Sequence, residues 1–424
     1  MPAKMLRPNV GLYVATADAF ADWKNPTLTE ITSATKVFNI SPAVTDDYTL
    51  NQTESQSDNS LSVVDNADVT TPTYFNYEAS LDAFRDANLA ADSVYNKFYN
   101  LFKSPDVKYY LIKRVGKSHD AAFAAGDVVS IFGVRTDFPV DIVADGEMIR
   151  IGARFLVTGE IVLNKAVAAG TAGAGPELKS TIGTKSTSNG KIKVTWIPVA
   201  NISNEGTFLS APTAALLNGG TDLTEAIAWD SYDLGSQDSN KIEDRSILDE
   251  SQVQSRGFAQ YSGSLNFFRS PYNTVSLAAT SGTAAAFTFI LTGDQSSKLE
   301  VGMSVSGTGI GTGAKVVSWS VSTNTTVTVS IANSATVSGN ITFANAQTLA
   351  YDLYKDATGT TRPTGYLAVR INKAATGAHL ATDVVSIYKF TADAFMENTE
   401  GEDSVKFMVN FASQGKLGKN VTVA

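Results

Sequence analysis

The chain nearly repeats itself, and that limits what it can fold into more than any other feature. Asp127-Val128-Val129-Ser130-Ile131-Phe132 returns 256 residues later as Asp383-Val384-Val385-Ser386-Ile387-Tyr388. Tyr110-Leu111, Arg114, Phe155 and Gly159 return at the same spacing as Tyr366-Leu367, Arg370, Phe411 and Gly415. Upstream the spacing is 184: Tyr77, Ser80-Leu81 and Phe84-Arg85 return as Tyr261, Ser264-Leu265 and Phe268-Arg269. Tyr48-Thr49-Leu50 and Ser62-Val63-Val64-Asp65 follow suit as Tyr232-Asp233-Leu234 and Ser246-Ile247-Leu248-Asp249, and Pro26-Thr27 pairs with Pro212-Thr213. One spacing held over so long a stretch marks an internal duplication. The jump from 184 to 256 places an insertion of about seventy-two residues in the second copy, between Arg269 and Tyr366.

This divides the chain into copy one (1–165), a flexible linker rich in Ala, Gly, Ser and Thr (166–190) and copy two (191–273 and 348–424). A small β-module (274–347) is inserted in copy two. Its short β-branched runs, Val316-Val317-Ser318-Trp319 and Thr326-Val327-Thr328-Val329, are separated by Gly turns. Insertions are tolerated where the host backbone is exposed, so the module is expected to project from copy two.

Within each copy a period-two strand closes the unit. Ile149, Ile151, Ala153, Phe155 and Val157 share one face, as do Val405, Phe407, Val409 and Phe411. Val128 to Val134 and Val384 to Phe390 read as more fully buried strands. Val94, Phe98, Leu101 and Phe102 form one stripe of an amphipathic helix, with Leu349 to Tyr354 as its shorter counterpart. The expected class is mainly β: a β-sandwich or half-barrel with one flanking α-helix per domain, twice over. The polar stretch Asp46–Ser60, with its equivalent near Asp238–Asp244, is expected to be a loop ordered from outside.

Chemistry is hard to find. The chain has no cysteine, which removes disulfides, thiolate metal sites and cysteine nucleophiles. His119 and His379 occupy non-equivalent positions, have no ligand-like neighbours in sequence, and read as surface or loop residues. Gly307, Gly309, Gly311 and Gly313 miss both phosphate-loop spacings and read as turn glycines. Glu397, Glu400, Glu402 and Asp403 lack calcium-loop spacing. No constellation points to an enzyme, a cofactor or a metal. Net charge −9 argues against tight nucleic-acid binding, which needs clustered Lys and Arg. The first residues, Met1 to Arg7, lack a signal peptide's apolar core, so synthesis in a host cytoplasm and no membrane anchor are expected.

The recurring residues also carry a resemblance. Pro26-Thr27-Leu28-Thr29-Glu30, the run from Tyr77 to Arg85, Asp127-Val128-Val129, Ala211-Pro212-Thr213 and the acidic approach from Glu397 to Phe407 resemble major tail (tail tube) proteins of long non-contractile-tailed bacteriophages, the siphophages. The insertion resembles small Ig-like β-modules of phage virion proteins. The resemblance implies tube domains that ring a β-barrel lumen, six to a ring, with rings stacked into the conduit for DNA ejection. Two domains per chain then make three chains sufficient, a homotrimer with pseudo-sixfold symmetry, with a hexamer as the alternative. Implied partners are further copies of the chain, the tip or baseplate, tape-measure and terminator proteins, and viral double-stranded DNA passing without tight binding. Asp46, Asp47, Glu54, Asp58, Asp230, Asp233 and Asp238 are candidate lumen-facing acids that would repel phosphate, solvated loops being the plainer reading. Competing classes are a decoration or surface-layer β-protein and a carbohydrate-binding or hydrolytic β-module. The scattered tryptophans Trp23, Trp196, Trp229 and Trp319 fit packing better than a glycan platform.

Overall fold

The structure is a computed structural model, and it describes residues 9–58, 71–228, 232–237, 239–243, 253–258, 260–269, 274–344, 349–354, 362–398 and 405–424. It is mainly β, with curled half-barrel sheets and few helices. In the first half lie β1 (Val10–Thr16), α1 (Leu28–Ile31), β2 (Val37–Asn39), β3 (Val44–Asp58), β4 (Thr71–Phe84) and α2 (Val94–Phe102). They are followed by β5 (Lys108–Val115), β6 (Val128–Thr136), β7 (Val140–Ile142) and β8 (Arg150–Ala166). These strands form one sheet in the order β2-β1-β5-β6-β8-β4-β3, with β7 also paired to β8.

The second half begins with β9 (Ile192–Pro198), α3 (Glu205–Ser210), α4 (Ala214–Asn218), β10 (Thr221–Asp222) and β11 (Asp233–Gln237). A separate hairpin of β12 (Lys241–Glu243) and β13 (Gln254–Arg256) precedes β14 (Gln260–Phe268). Then come β15 (Thr274–Ser281), β16 (Thr288–Leu291), β17 (Ser304–Ser306), β18 (Val316–Val321), β19 (Thr325–Val329) and β20 (Gly339–Ala344), a six-stranded sheet of their own. The chain returns through α5 (Leu349–Tyr354), β21 (Thr364–Ile371), β22 (Val384–Asn398) and β23 (Lys406–Thr422). The second large sheet runs β10-β9-β21-β22-β23-β14-β11, the order of the first strand for strand.

Register repeats with topology. Tyr110 faces Gly133 as Tyr366 faces Lys389, and Ser80 faces Arg154 as Ser264 faces Asn410. The β-bulges recur too, between Val129 and Ile131 and between Val385 and Ile387. The middle of each sheet is covered on both faces, so its strands read as unbroken apolar runs. In β5, Tyr109 and Leu111 enter the core beneath α2, while Tyr110 and Ile112 enter a second core with Leu28 and Ile31 of α1. In β21, Leu367 and Val369 join the α5 core, and Tyr366 and Ala368 join Phe208 of α3 and Leu217 of α4. The inserted sheet closes around its own core of Phe289, Met303, Val327, Ile341 and Phe343.

The residues that recur in sequence make recurring tertiary contacts. Tyr77 Oη donates to the Gly133 carbonyl (2.6 Å) and accepts from Thr158 N (3.0 Å). Tyr261 Oη donates to the Lys389 carbonyl (2.8 Å) and accepts from Gln414 N (3.1 Å) and Lys416 N (2.9 Å). Each hydroxyl thus caps the bend of a long strand at Gly159 or Gly415, whose φ angles of 79° and 67° suit glycine. The Arg114 guanidinium, 1% exposed, donates to the carbonyls of Ser118 (2.5 Å) and Ala121 (2.8 Å) and lies 3.6 Å from Asp127. Arg370, also 1% exposed, donates to the Ala374, Gly377 and Ala378 carbonyls and to Asp383 (2.9 Å). Lys117 and Lys373 complete the two acid pairs with Asp127 and Asp383. Thr27 and Thr213 each cap a short helix, and Pro26 and Pro212 each accept from the residue that ends a long strand's excursion, Ala168 or Ala424.

Three expectations need correction. The polar stretch from Asp46 is not a loop: as far as Asp58 it lies within β3, whose backbone pairs along β4 from Val44–Ala83 to Asp58–Thr71. Of the described side chains in that stretch, only Tyr48 and Leu50 pack on the apolar core, and cross-strand hydrogen bonds to β4 satisfy the rest of its backbone, which is why polarity misled. The segment 166–190 is not a free linker but a strap on the first sheet. The carbonyls of Thr181 and Ile182 accept from Val94 N and Tyr95 N, the orphan donors of the first turn of α2. Glu177 exchanges backbone bonds with Val37 and Asn39, and Ser186 with Arg85 and Ile149. His119 and His379 both fall in loops, but His379 is buried, 1% exposed, with Nε2 3.0 Å from Thr195 Oγ1 and its backbone held by the Asn218 side chain.

Two predictions follow from this packing. Phe411, buried against Trp196, Tyr354 and Phe390, should not tolerate charge. Phe411→Asp should destabilise the second sheet by about 4 kcal/mol or more, read as a lost or lowered melting transition. Burial, with the nearby Arg370 and Lys193 cations, pushes the His379 pKa down from 6.5 to about 4, despite the opposing Asp383 and Asp222 carboxylates. The unfolded chain therefore binds a proton that the folded chain refuses, and stability should fall as pH drops from about 6.5 to about 4. His379→Gln should flatten that part of a denaturation-versus-pH curve.

Candidate assembly interface

The two large sheets meet through dissimilar surfaces. The first presents the outer edge of β8 just before its bend, together with β7 and the turns carrying Asp106 and Asp137. The second presents its β11–β14 arm, the β12–β13 hairpin at the arm's end and the loop carrying Asn372.

At the centre, Thr158 of β8 forms an antiparallel bridge with Val253, and the Gln254 side chain accepts from Val157 N (3.5 Å). The arm thereby adds to a strand edge that would otherwise expose unpaired backbone groups. Leu156 and Val157 are 1% and 2% exposed. Beside them Asp137, 1% exposed, accepts from Ser239 N (2.9 Å) and Ser239 Oγ (2.8 Å). Arg256 reaches Asp106 (3.2 Å) and stacks over Phe138, 4.9 Å from the ring centroid.

The other flank is sealed by charge and amide contacts. Lys419 of β23 is buried against Asp141 of β7, and burial alone would drive its proton off. The carboxylate of Asp141 and the hydroxyl of Tyr388 outweigh that cost and hold the ammonium above its ordinary range. Asn372 Nδ2 donates to the Asp86 carbonyl (2.5 Å), and Asn420 Nδ2 to the Lys103 carbonyl (3.2 Å). Val143, just after β7, packs against the core of the second sheet. Between these contacts lies a polar cleft of about 560 Å³ lined by Arg85, Asn96 and Lys103 from one side and Arg370, Asn372 and Asn420 from the other.

The seven candidate acids are not gathered into one cluster among the described residues. Asp46 and Asp47 are exposed on β3, and Asp47 pairs with Arg150 (3.1 Å). Asp233 is exposed at the start of β11. Glu54 and Asp58 belong to β3, but their side chains lie outside the described residues, as do Asp230 and Asp238 altogether. In the acidic approach to the final strand, Glu397 pairs with Arg269, and Glu400, Glu402 and Asp403 lie outside the described residues. Sequence reasoning missed Asp137, Asp141 and Lys419. The first two look like ordinary turn and edge acids, and only the neighbouring unit buries them.

The family model described as Phage tail tube protein matches residues 1–170, 180–315 and 298–424. The chain belongs to the phage tail tube protein family. The first match falls on the first large sheet, and the other two together span the second, so the tube unit is repeated within one chain. A search of the curated proteins found no match. A tail tube protein is a structural component of the phage tail, in a family of tube proteins and not of enzymes. No described helix is long and apolar enough to cross a membrane.

Breaking the Lys419–Asp141 pair from one side should be costly. Asp141→Ala leaves a buried ammonium without its carboxylate and should cost about 3–5 kcal/mol in chemical denaturation. Adding Lys419→Met should recover most of that loss, because it removes the stranded charge as well.

Proposed function

We propose that this tail tube protein assembles into rings that stack to form the conduit for DNA ejection, in a siphophage virion. One observation carries the reading: two tube units of one chain already sit side by side through dissimilar surfaces, with the 412–416 edge of β23 exposed at the far end. Such head-to-tail contacts propagate until they close, and three chains supply the six units of a pseudo-sixfold ring. Stacking of rings is head to tail as well and extends into a filament.

The acidic balance supports passage of DNA without adhesion. A wall of carboxylates repels phosphate, whereas clustered lysines would hold it by counterion release. On this reading Asp46, Asp47, Glu54, Asp58, Asp230, Asp233 and Asp238 are the acids to test for a place on the lumen. The domain limits follow the duplication, with units at 1–165 and 191–424, and residues 274–347 form a module outside the tube wall. Tip, tape-measure and terminator proteins are the expected further partners in the tail.

Electron microscopy of the purified protein at high concentration tests this directly. Rings or hollow filaments are expected, and a species that stays monomeric would refute the reading. Deleting 274–347 and closing the gap with a short Gly-Ser link should leave assembly intact, because the module closes around its own core. Loss of assembly in that variant would place the module between rings.

A further inference from the structure

The duplication makes the contact inside the chain a template for a contact between chains. The second sheet carries the same long-strand edge that the first sheet uses, and there no described segment pairs across it. Leu156 and Val157 are buried on β8, whereas their counterparts Ala412 and Ser413 on β23 are exposed, as are Gln414, Gly415 and Lys416. Asp137 is sealed beneath Ser239, whereas its counterpart Asp393 is half exposed (51%) and paired with Arg362 at the surface. The edge is therefore present twice and occupied once.

The docked arm also has a counterpart in the first sheet. In the second sheet, Lys241 pairs with Arg256 and Ile242 with Ser255 in a hairpin detached from the main sheet and laid on β8. The counterpart pairs in the first sheet, Ser57–Pro72 and Asp58–Thr71, belong to a continuous β3–β4 ribbon. In sequence, the two positions that contact the first sheet, Ser239 and Val253, are matched 184 residues earlier by Ser55 and Val69, with the residue type unchanged. The side chain of Ser55 and the whole of Val69 lie outside the described residues, so the match is one of sequence.

We propose that the β3–β4 arm of one chain docks on the exposed 412–416 edge of β23 in a second copy, beside Asp393. The inference rests on the ring reading above and fixes its polarity: the first unit of each chain follows the second unit of its neighbour. The occupant is a second copy because this edge has the backbone register of β8, and only this chain's arm repeats the residues that β8 already accepts. Filling the edge also removes the one long-strand segment that leaves the second sheet open to indiscriminate strand pairing.

The absence of native cysteine gives a clean test. Val69→Cys combined with Gln414→Cys should, on mild oxidation, give covalent dimers and trimers on a non-reducing gel. Thr158→Cys with Val253→Cys, the bridged pair inside the chain, should give only an intramolecular link. Separately, Ala412→Asp with Ser413→Arg changes only exposed side chains and should leave the melting temperature unchanged. It should weaken self-association at least tenfold in sedimentation. Wild-type-like assembly of that variant, or a Val69→Cys/Gln414→Cys chain that oxidises without inter-chain links while wild-type rings form, overturns the proposal. If the wild-type chain stays monomeric at every concentration, the ring reading fails as well.

Discussion

Everything in each large sheet depends on one long strand that has to serve two partners and bend within the ladder to one of them. β8 pairs with β4 through Arg150–Arg154 and with β6 through Phe155–Ala166, and β23 plays the same double role. Each bend breaks the ladder to that partner, between Phe132 and Val134 or between Tyr388 and Phe390, and a break leaves backbone donors in search of acceptors. A glycine at positive φ makes the bend, and a tyrosine hydroxyl from the neighbouring strand takes up the orphaned amides. Duplication preserved that arrangement in both units, which is why Tyr77 and Tyr261 stand out in sequence although neither does chemistry. Losing either hydroxyl would leave the amides at the bend without their acceptor, not merely remove one contact.

The bend also creates the surface on which assembly rests. Between its last pair with β4 and the bend, the strand has only one partner, so its other edge is open to a strand from elsewhere. Inside the chain the β12–β13 hairpin fills that opening on β8, and Asp137, Asp141 and Lys419 secure the flanks. The interface joins unlike surfaces, the geometry a repeating assembly requires. A buried Lys–Asp pair at such a place adds specificity more than stability, since a misplaced neighbour would leave one of the two charges unmatched.

The family is established over nearly the whole chain, and the duplication explains why its pattern is met more than once. The insertion occupies only the connection between β14 and α5 and folds about a core that shares no member with its host. A host sheet can accept such an insert because its hydrogen-bond ladder never passes through the inserted strands. Ring closure, stacking and the path of DNA rest on the proposals above.

The sequence by itself determined the duplication, α2 and α5, the inserted module and the buried faces of the final strands apart from Val405, which is 42% exposed just before β23. These are local periodicities and fixed spacings, and a repeat compares each signal with its own copy. It could not determine whether 166–190 lies free or straps the helix, because small polar residues satisfy backbone groups through carbonyls that carry no side-chain signature. Nor could it show that the polar run from Asp46 is a strand, since beyond Tyr48 and Leu50 it has no apolar alternation to announce it. Tertiary structure alone decided that His379 is buried and that Asp137 and Asp141 face another unit. Burial depends on what a distant segment lays on top, and that information is absent from the residues being covered.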